Sequence, residues 1–205
     1  ANFFKAQGIQ AGDCIAGLLP RTPELLITIL AAWRIGAIYQ PLFTAFEAKS
    51  IDHRITTAQT KLIVTNDEQR PKLNTLNVPV IVTVHQTGLL SEHDFDFWQS
   101  LQRYSEQCEP VNRSFDDDFL MMFTSGTTGL AKSVPVPLKA ILAFKGYMTH
   151  AVDLREEDMF WNLADPGWAY GLYYGITGPL SLGHGIIMDE RSFNVDQAIE
   201  LIKKI

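Results

Sequence analysis

The most informative stretch of the chain is Phe119-Leu120-Met121-Met122-Phe123-Thr124-Ser125-Gly126-Thr127-Thr128-Gly129-Leu130-Ala131-Lys132. Its first five residues are apolar, which predicts a buried strand. Hydroxyl residues and glycines follow, and Lys132 adds a positive charge. Because glycine has no Cβ atom, backbone N–H groups in such a loop can converge on one oxyanion. The stretch therefore predicts a strand that ends in a phosphate-binding loop.

Two kinds of phosphate loop match part of this stretch. The range 126–133 misses the Walker A pattern GxxxxGK[ST] at one position, Ala131. A Walker A loop must lead directly into a helix whose N-terminus faces the phosphate. Here Pro135 and Pro137 follow, and proline lacks an N–H donor and favours extended backbone in the residue before it. We therefore expect no helix to begin at Lys132, which excludes a P-loop NTPase.

The second kind of loop is indicated by a resemblance to a known family. Residues 124–129, with Lys132 after two further residues, resemble the signature loop of the AMP-forming adenylating enzymes. These are the acyl-CoA synthetases, the peptide-synthetase adenylation domains and the luciferases. The family usually has Pro before the Lys and Gly after it, whereas this chain has Ala131 and Ser133. The resemblance extends over essentially all 205 residues.

The resemblance implies a reaction and its cofactors. A carboxylic acid would be activated with ATP and Mg²⁺ as an acyl-adenylate, and CoA would then take the acyl group. The carboxylate attacks by itself once it is oriented, so no protein nucleophile is required. The donors implied to hold the departing phosphates are Thr124, Ser125, Gly126, Thr127, Thr128, Gly129 and Lys132.

A second informative segment follows a predicted strand over residues 158–163. Its residues 164–171 contain Asp, Pro and Gly and then aromatic residues, and a helix is predicted from Leu172 to Leu182. From the residues alone two interpretations stay open. Trp168 and Tyr170 either belong to the core behind a tight turn or line a ligand site.

The resemblance favours the ligand site. The segment is similar to the place where acetyl-CoA-synthetase-like members build the acyl pocket and part of the CoA approach. By that match Trp168, Ala169 and Tyr170 face the acyl group. Ala169 stands where acetate-specific relatives tend to carry Val, which indicates a substrate larger than acetate.

The order of strands and helices predicts the fold class. Strands predicted over 14–19, 38–42, 61–65 and 79–84 alternate with helices, the last of them over 94–104, so we expect an α/β fold with a mostly parallel sheet covered on both faces. Ligands of such sheets bind beyond the carboxyl ends of the strands, where residues 124–132 are expected.

The resemblance also implies a domain organisation. Residues 1–137 are expected to form a first α/β lobe that ends in the phosphate loop, and residues 138–205 the truncated start of a second lobe. We expect a fragment of the N-terminal domain of a longer enzyme. The adenine motif with its Mg²⁺-binding Glu, the ribose-binding Asp, the hinge and the catalytic Lys of a C-terminal domain would lie further along. No catalytic or metal-binding residue is therefore assigned within the chain.

Composition limits the function classes. The chain is 46% hydrophobic and 20% charged, as is typical of globular proteins, and its net charge of −6 offers no basic surface for nucleic acid. No apolar run approaches the roughly 20 residues that a membrane-spanning helix needs. Cys14 and Cys108 are too few for a disulfide framework or a zinc site, which fits a reducing cytoplasm.

The residues also raise three further interpretations. One is a metal site formed by the run Asp116-Asp117-Asp118 or by histidines. We expect instead that the acidic run is solvated and that no two histidines have the spacing of metal ligands. An adenylation domain that loads a carrier protein would share the phosphate loop. A non-catalytic α/β nucleotide-binding module would share the fold.

Overall fold

Two compact units make up the chain in a computed structural model that describes residues 1–74, 80–84, 93–124, 130–191 and 193–204. The first unit contains residues 1–19 and 23–139, and the second contains residues 20–22 and 140–205. The assignment of two lobes, with the second truncated, stays a prediction.

A seven-stranded sheet organises the first unit. Its strands are β1 (Cys14–Leu18), β2 (Ile38–Pro41), β3 (Leu62–Asn66), β4 (Val80–Val84), β5 (Phe95–Asp96), β6 (Asp118–Thr124) and β7 (Lys132–Pro137). Their order in the sheet is β5-β4-β3-β1-β2-β6-β7. Every neighbouring pair is parallel except β6 and β7, which are antiparallel. The predicted mostly parallel α/β sheet is confirmed.

The helices of this unit are α1 (Asn2–Ala6), α2 (Pro23–Arg34), α3 (Ala48–Thr57) and α4 (Phe97–Gln102), with a 3₁₀ turn at Arg70–Leu73. All five residues of β1 are buried, as expected for a central parallel strand with both faces covered. Helix α2 begins at Pro23, whose missing N–H group is tolerated in a first turn. It ends before Gly36, which adopts a φ of +73°.

Helix α3 is fixed to the sheet by one apolar face. Ile51 and Ile55 lie four residues apart and therefore share that face. They belong to a buried cluster with residues of three strands, of the 3₁₀ turn and of the segment after β2, namely Ala16, Leu18, Leu42, Ile63, Leu73 and Ile81. The position of α3 matters for the site described below.

The helix predicted over residues 94–104 is shorter in the structure. Phe95 pairs with Val82 and Asp96 with Thr83, so these two residues form a strand at the sheet edge. The Asp96 side chain then accepts a hydrogen bond of 2.7 Å from the backbone of Gln99. This cap begins α4 at Phe97 because it satisfies one of the free N–H groups of the first turn.

The second unit is mainly helical. Its elements are α5 (Ala140–His150), β8 (Phe160–Trp161), α6 (Ala169–Leu172), a π-helical turn (Tyr173–Thr177), α7 (Gly178–Ser181), β9 (Ile186–Ile187) and α8 (Val195–Ile202). Strands β8 and β9 are parallel. In the described part of the chain, no helix combines the length and the apolar character that crossing a membrane requires.

The single helix predicted from Leu172 to Leu182 is wrong in detail, because α6, the π-helical turn and α7 follow one another there. Thr177 Oγ1 donates a hydrogen bond of 2.9 Å to the carbonyl of Leu172, five residues earlier. Pro179 has no N–H group to continue the regular ladder. Both features disturb the α-helical pattern, and π-helical turns are frequent at functional sites.

Candidate functional site

The end of the β6–β7 hairpin carries two of the predicted phosphate ligands. Thr124 ends β6 and Lys132 begins β7, and the two residues pair directly across the strands. Both are exposed. Since β6 runs parallel to β2, Thr124 lies at the carboxyl edge of the parallel strands, where ligands of such sheets bind.

The remaining predicted ligands are Ser125, Gly126, Thr127, Thr128 and Gly129, and these lie outside the described residues. Their part in phosphate binding stays a prediction. The described structure brings Thr124 and Lys132 together and exposes both side chains at one edge.

Lys132 begins a strand and not a helix. The strand β7 extends to Pro137 and pairs with β6 in antiparallel fashion, so the helix N-terminus that a Walker A loop requires is missing directly after Lys132. The expectation against a P-loop NTPase is confirmed at this point. Within the described ranges Lys132 makes no ion pair, which leaves its positive charge available to an anion.

Two side chains of α3 contact the end of this hairpin, and sequence reasoning did not identify either of them. His53 Nε2 donates a hydrogen bond of 2.7 Å to the carbonyl oxygen of Ala131, the residue before Lys132. The guanidinium carbon of Arg54 lies 4.0 Å from the ring centre of Phe46 and 5.7 Å from that of Phe123. His53 and Ala131 are 78 positions apart, so no local sequence pattern could have indicated the contact.

Arg54 is half-buried, and this burial lowers the pKa of its guanidinium below the ordinary value. The group still carries its charge at neutral pH, because arginine does not lose its proton in proteins. Phe46 and Phe123 therefore face a permanent cation, an arrangement in which aromatic rings attract the charge.

In the second unit, Trp168, Ala169 and Tyr170 are all exposed. The exposed fractions of Trp168 and Tyr170 are 45% and 51%, so the interpretation that they form a buried core is wrong. Trp168 stands at the N-cap position of α6, and Ala169 and Tyr170 form the first turn. That they contact an acyl group stays a prediction.

A tight turn presents this segment. Asp165 accepts a side-chain hydrogen bond of 2.7 Å from the backbone of Gly167 and a backbone hydrogen bond of 3.0 Å from that of Trp168. A Cβ atom on Gly171 would lie only 2.2 Å from the carbonyl oxygen of Asp165. Residue 171 must therefore be glycine for α6 to approach the turn so closely.

Burial raises the pKa of the Asp165 carboxyl above its ordinary value, against the opposing effects of the Gly167 N–H group and the Arg21 charge. Arg21 belongs to the second unit and donates hydrogen bonds to the carbonyls of Asp189 at 3.0 Å and Leu163 at 2.6 Å. It links the chain that follows β8 to the chain that follows β9. Sequence reasoning did not identify this role of Arg21.

An aromatic cluster borders Tyr170. The Tyr170 ring centre lies 5.2 Å from that of Tyr174, and Tyr174 lies 4.1 Å from Tyr147 of α5. Phe144 stacks on Tyr173 at 4.4 Å. A side-chain hydrogen bond with Tyr147 is the largest cause of a raised pKa for Tyr170, and burial raises the pKa of Tyr173. The cluster thus joins α5 to the π-helical turn.

Acidic residues near the hairpin have structural partners. Asp116 pairs with Lys139 at 2.7 Å, and Asp117 accepts from the backbone of Ser114 at 2.8 Å and lies 3.0 Å from Arg113. Among the residues that the structure describes, no group of three or more His, Cys, Asp or Glu side chains could hold a metal ion. Asp116 and Asp117 are therefore engaged in ion pairs and a turn, and neither is assigned to the implied Mg²⁺.

Comparison with known proteins identifies relatives over nearly the whole chain. The acetyl-coenzyme A synthetase of Methanothrix thermoacetophila is 34% identical over 214 residues, which cover 93% of this chain and 32% of that protein. The acetyl-coenzyme A synthetase of Psychrobacter cryohalolentis is 30% identical over 216 residues, which cover 92% of this chain and 32% of that protein. The chain thus spans about a third of the length of the curated relatives it matches.

Solved structures show the same fold. The crystal structure of a Brucella canis acyl-CoA synthetase superposes with a TM-score of 0.95 at 53% identity and covers 99% of this chain and 38% of that one. An anthranilate CoA ligase in complex with anthranoyl-AMP superposes with a TM-score of 0.88 over 97% of this chain and 39% of that one. At 19% identity the second likeness concerns the fold alone.

A family model described as AMP-binding enzyme matches residues 1–205. This match covers the β6–β7 hairpin with Thr124 and Lys132 as well as the segment with Trp168, Ala169 and Tyr170. The chain belongs to the AMP-binding enzyme family.

Proposed function

We propose that this chain is part of an ATP-dependent acyl-CoA synthetase, an AMP-forming acid–thiol ligase. The full-length enzyme activates a carboxylic acid as acyl-AMP and transfers the acyl group to CoA. The observation that carries the proposal is the exposed Lys132, which faces no acidic partner in the described part of the chain and pairs with Thr124 at the carboxyl edge of the sheet. The names of the relatives support the same class of reaction.

The role proposed for this edge is electrostatic. A carboxylate oxygen forms a bond to the α-phosphorus of ATP while the bond to the β-phosphate oxygen breaks, and pyrophosphate leaves with the electron pair. Negative charge therefore grows on the departing group, and preorganised donors stabilise it. Lys132 supplies a cation, and Thr124 together with the predicted Ser125–Gly129 donors supplies hydrogen bonds.

The second half-reaction exchanges AMP for a thiol. The sulfur of CoA forms a bond to the acyl carbon, the bond from that carbon to the AMP oxygen breaks, AMP leaves with the electron pair, and the thiol proton passes to solvent. Bound Mg²⁺ would neutralise phosphate charge, and because the described residues contain no cluster of three or more acidic, His or Cys side chains, no residue is assigned to hold it. The catalytic Lys of a C-terminal domain is expected outside these 205 residues, so the chain by itself is proposed to be inactive.

The acyl group is proposed to bind at Trp168, Ala169 and Tyr170. Their exposure supports this proposal, because side chains that touch a substrate must be reachable from solvent before it binds. The methyl group of Ala169 leaves more room than a branched side chain, so an acid larger than acetate is proposed. Free Cys14 and Cys108, both buried, fit the proposed cytoplasmic location.

The test is acid-dependent pyrophosphate exchange by the full-length enzyme. ATP and a panel of carboxylic acids of increasing size are supplied, and exchange of labelled pyrophosphate into ATP is measured. We expect exchange that depends on the acid and favours acids larger than acetate. Added CoA should then give acyl-CoA. Loading of a phosphopantetheine carrier protein in place of CoA would move the protein to the carrier-loading class, and no exchange with any acid would refute the proposal.

A further inference from the structure

We infer that His53 is a positioning residue for Lys132 and that it acts through the carbonyl of Ala131. The inference rests on the proposed function, because it concerns how the phosphate-binding cation is held. His53 Nε2 lies 2.7 Å from the Ala131 oxygen. Since a carbonyl oxygen only accepts hydrogen bonds, the proton must be on Nε2. The neutral tautomer with this proton and the imidazolium form both make the bond.

Helix α3 contacts the last residues of β6 and the residue that precedes β7. On the β6 side, the ring centre of Phe123 lies 6.5 Å from that of His53 and 5.7 Å from the guanidinium carbon of Arg54. On the β7 side, His53 binds Ala131. Thr124 follows Phe123 and Lys132 follows Ala131, and these two form the last pair of the ladder. Consecutive residues of α3 therefore hold both ends of the predicted loop.

His53 is itself held by the sheet. Ile51 and Ile55 on either side of it are buried in the core cluster. Gln40 of β2, fully buried, donates a hydrogen bond of 3.1 Å to the carbonyl of Arg54. The imidazole is thus carried by an element that cannot shift without disturbing the core, which is the support that an accurately placed site needs.

The hydrogen bond from His53 affects Lys132 because it fixes the backbone at Ala131, the preceding residue. Ala131 lies outside the β6–β7 ladder, and alanine leaves both backbone torsions free, unlike proline. Lys132 carries its charge on a flexible four-carbon stem, so the reach of the ammonium group depends on where its own backbone begins. A misplacement of about 1 Å can reduce the rate of a reaction by roughly 100-fold.

The experiment is a double-mutant cycle in the full-length enzyme, measured by pyrophosphate exchange. His53→Leu removes the donor at similar size, and His53→Gln keeps an N–H donor. We expect His53→Leu to lower kcat/KM for ATP about 10-fold, with the KM for the acid unchanged and most of the activity restored in His53→Gln. His53→Ala serves as a second donor-free variant should His53→Leu not fold. His150→Ala, at an exposed histidine of α5, is the matched control and should change nothing.

The cycle separates positioning from general stability. In a Lys132→Ala background, His53→Leu should cost little further activity, because the group that it positions is already gone. Additive losses in the two backgrounds, or a His53→Gln variant as impaired as His53→Leu, would overturn the inference and leave the proposed function intact. If Lys132→Ala alone kept full exchange activity, the proposed role of Lys132 would fall and this inference with it.

Discussion

The end of the β6–β7 hairpin and the segment Trp168–Tyr170 are both exposed, but different kinds of contact hold them. The hairpin end is held from a distance in sequence, since His53 reaches Ala131 across 78 positions. The segment 168–170 is held locally, through Asp165 three residues before it and Gly171 directly after it. At the hairpin end, the local sequence indicates the proposed binding function but not the distant residue that supports it. In the segment 168–170, the local sequence contains the residues that support the turn but does not by itself indicate what the segment binds.

We expect the largest effect on activity from a substitution at the hairpin end. Lys132→Ala removes the cation that we propose to stabilise the departing pyrophosphate, and kcat/KM for ATP in pyrophosphate exchange should fall about 100- to 1,000-fold. The control is Lys139→Ala, which removes an exposed lysine that pairs with the exposed Asp116. Exposed ion pairs contribute little, so this variant should behave like wild type. A Lys132→Ala enzyme with full exchange activity would refute the proposed role of Lys132 in stabilising the departing pyrophosphate.

We expect the next largest effect, on stability, from a substitution in the turn that supports the segment 168–170. Gly171→Ala places a Cβ atom 2.2 Å from the Asp165 carbonyl oxygen, and backbone must move to accept it. We expect a loss of about 1–3 kcal/mol in the free energy of unfolding, as for other overpacked sites. Thermal and denaturant unfolding of the full-length protein measure it.

Gly146 of α5 is the matched control for Gly171, because a Cβ atom added there meets no heavy atom within 4 Å. Gly146→Ala should stabilise the protein by about 0.4–1 kcal/mol, since alanine has fewer conformations to lose on folding. Equal effects of the two substitutions would show that the close approach of α6 to the Asp165 turn does not constrain residue 171.

We expect a smaller effect, on the choice between acids, from a substitution in the segment 168–170. Ala169→Val adds two methyl groups to the surface that we propose to face the acyl group. The kcat/KM for the preferred larger acid should fall about 10-fold, because methylene-sized differences in a pocket change specificity by such factors. The value for acetate should hardly change. Ala143→Val places the same side chain at an exposed position of α5, and there the ratio between acids should stay as in wild type.

The sequence predicted the first region more completely than the second. The apolar run before Thr124 indicated a strand, which is β6, and the prolines after Lys132 indicated that no helix begins there, which agrees with the strand β7. Both signals are local, because apolar runs and proline geometry act on neighbouring residues. The contact from His53 could not be predicted, since only the folded sheet brings α3 to the hairpin.

In the second region the sequence predicted the turn but not the helix pattern. Asp165 and Gly167 indicated a turn, and it is present. The helix expected from Leu172 is interrupted by a π-helical turn, where the Thr177 hydroxyl binds the Leu172 carbonyl. The residues alone did not decide whether Trp168 is exposed, because aromatic residues before a helix are compatible with a core or with a site. Only the three-dimensional arrangement decides between them.

The smallest expected effect concerns charge in the turn that holds Trp168. Burial keeps the pKa of Asp165 above its ordinary value, so the folded protein releases this proton at higher pH than the unfolded chain does. The charged carboxylate therefore costs stability, and that cost grows as pH rises through the folded pKa.

Asp165→Asn keeps an oxygen that can accept a hydrogen bond from Gly167 but carries no charge. The variant should be slightly more stable than wild type at pH 7, and the difference should vanish as pH falls below the ordinary Asp value of about 4. Unfolding measured at both pH values tests this. A variant that is less stable at pH 7 would mean that the attraction of the Arg21 charge outweighs burial at Asp165 and helps to hold the turn.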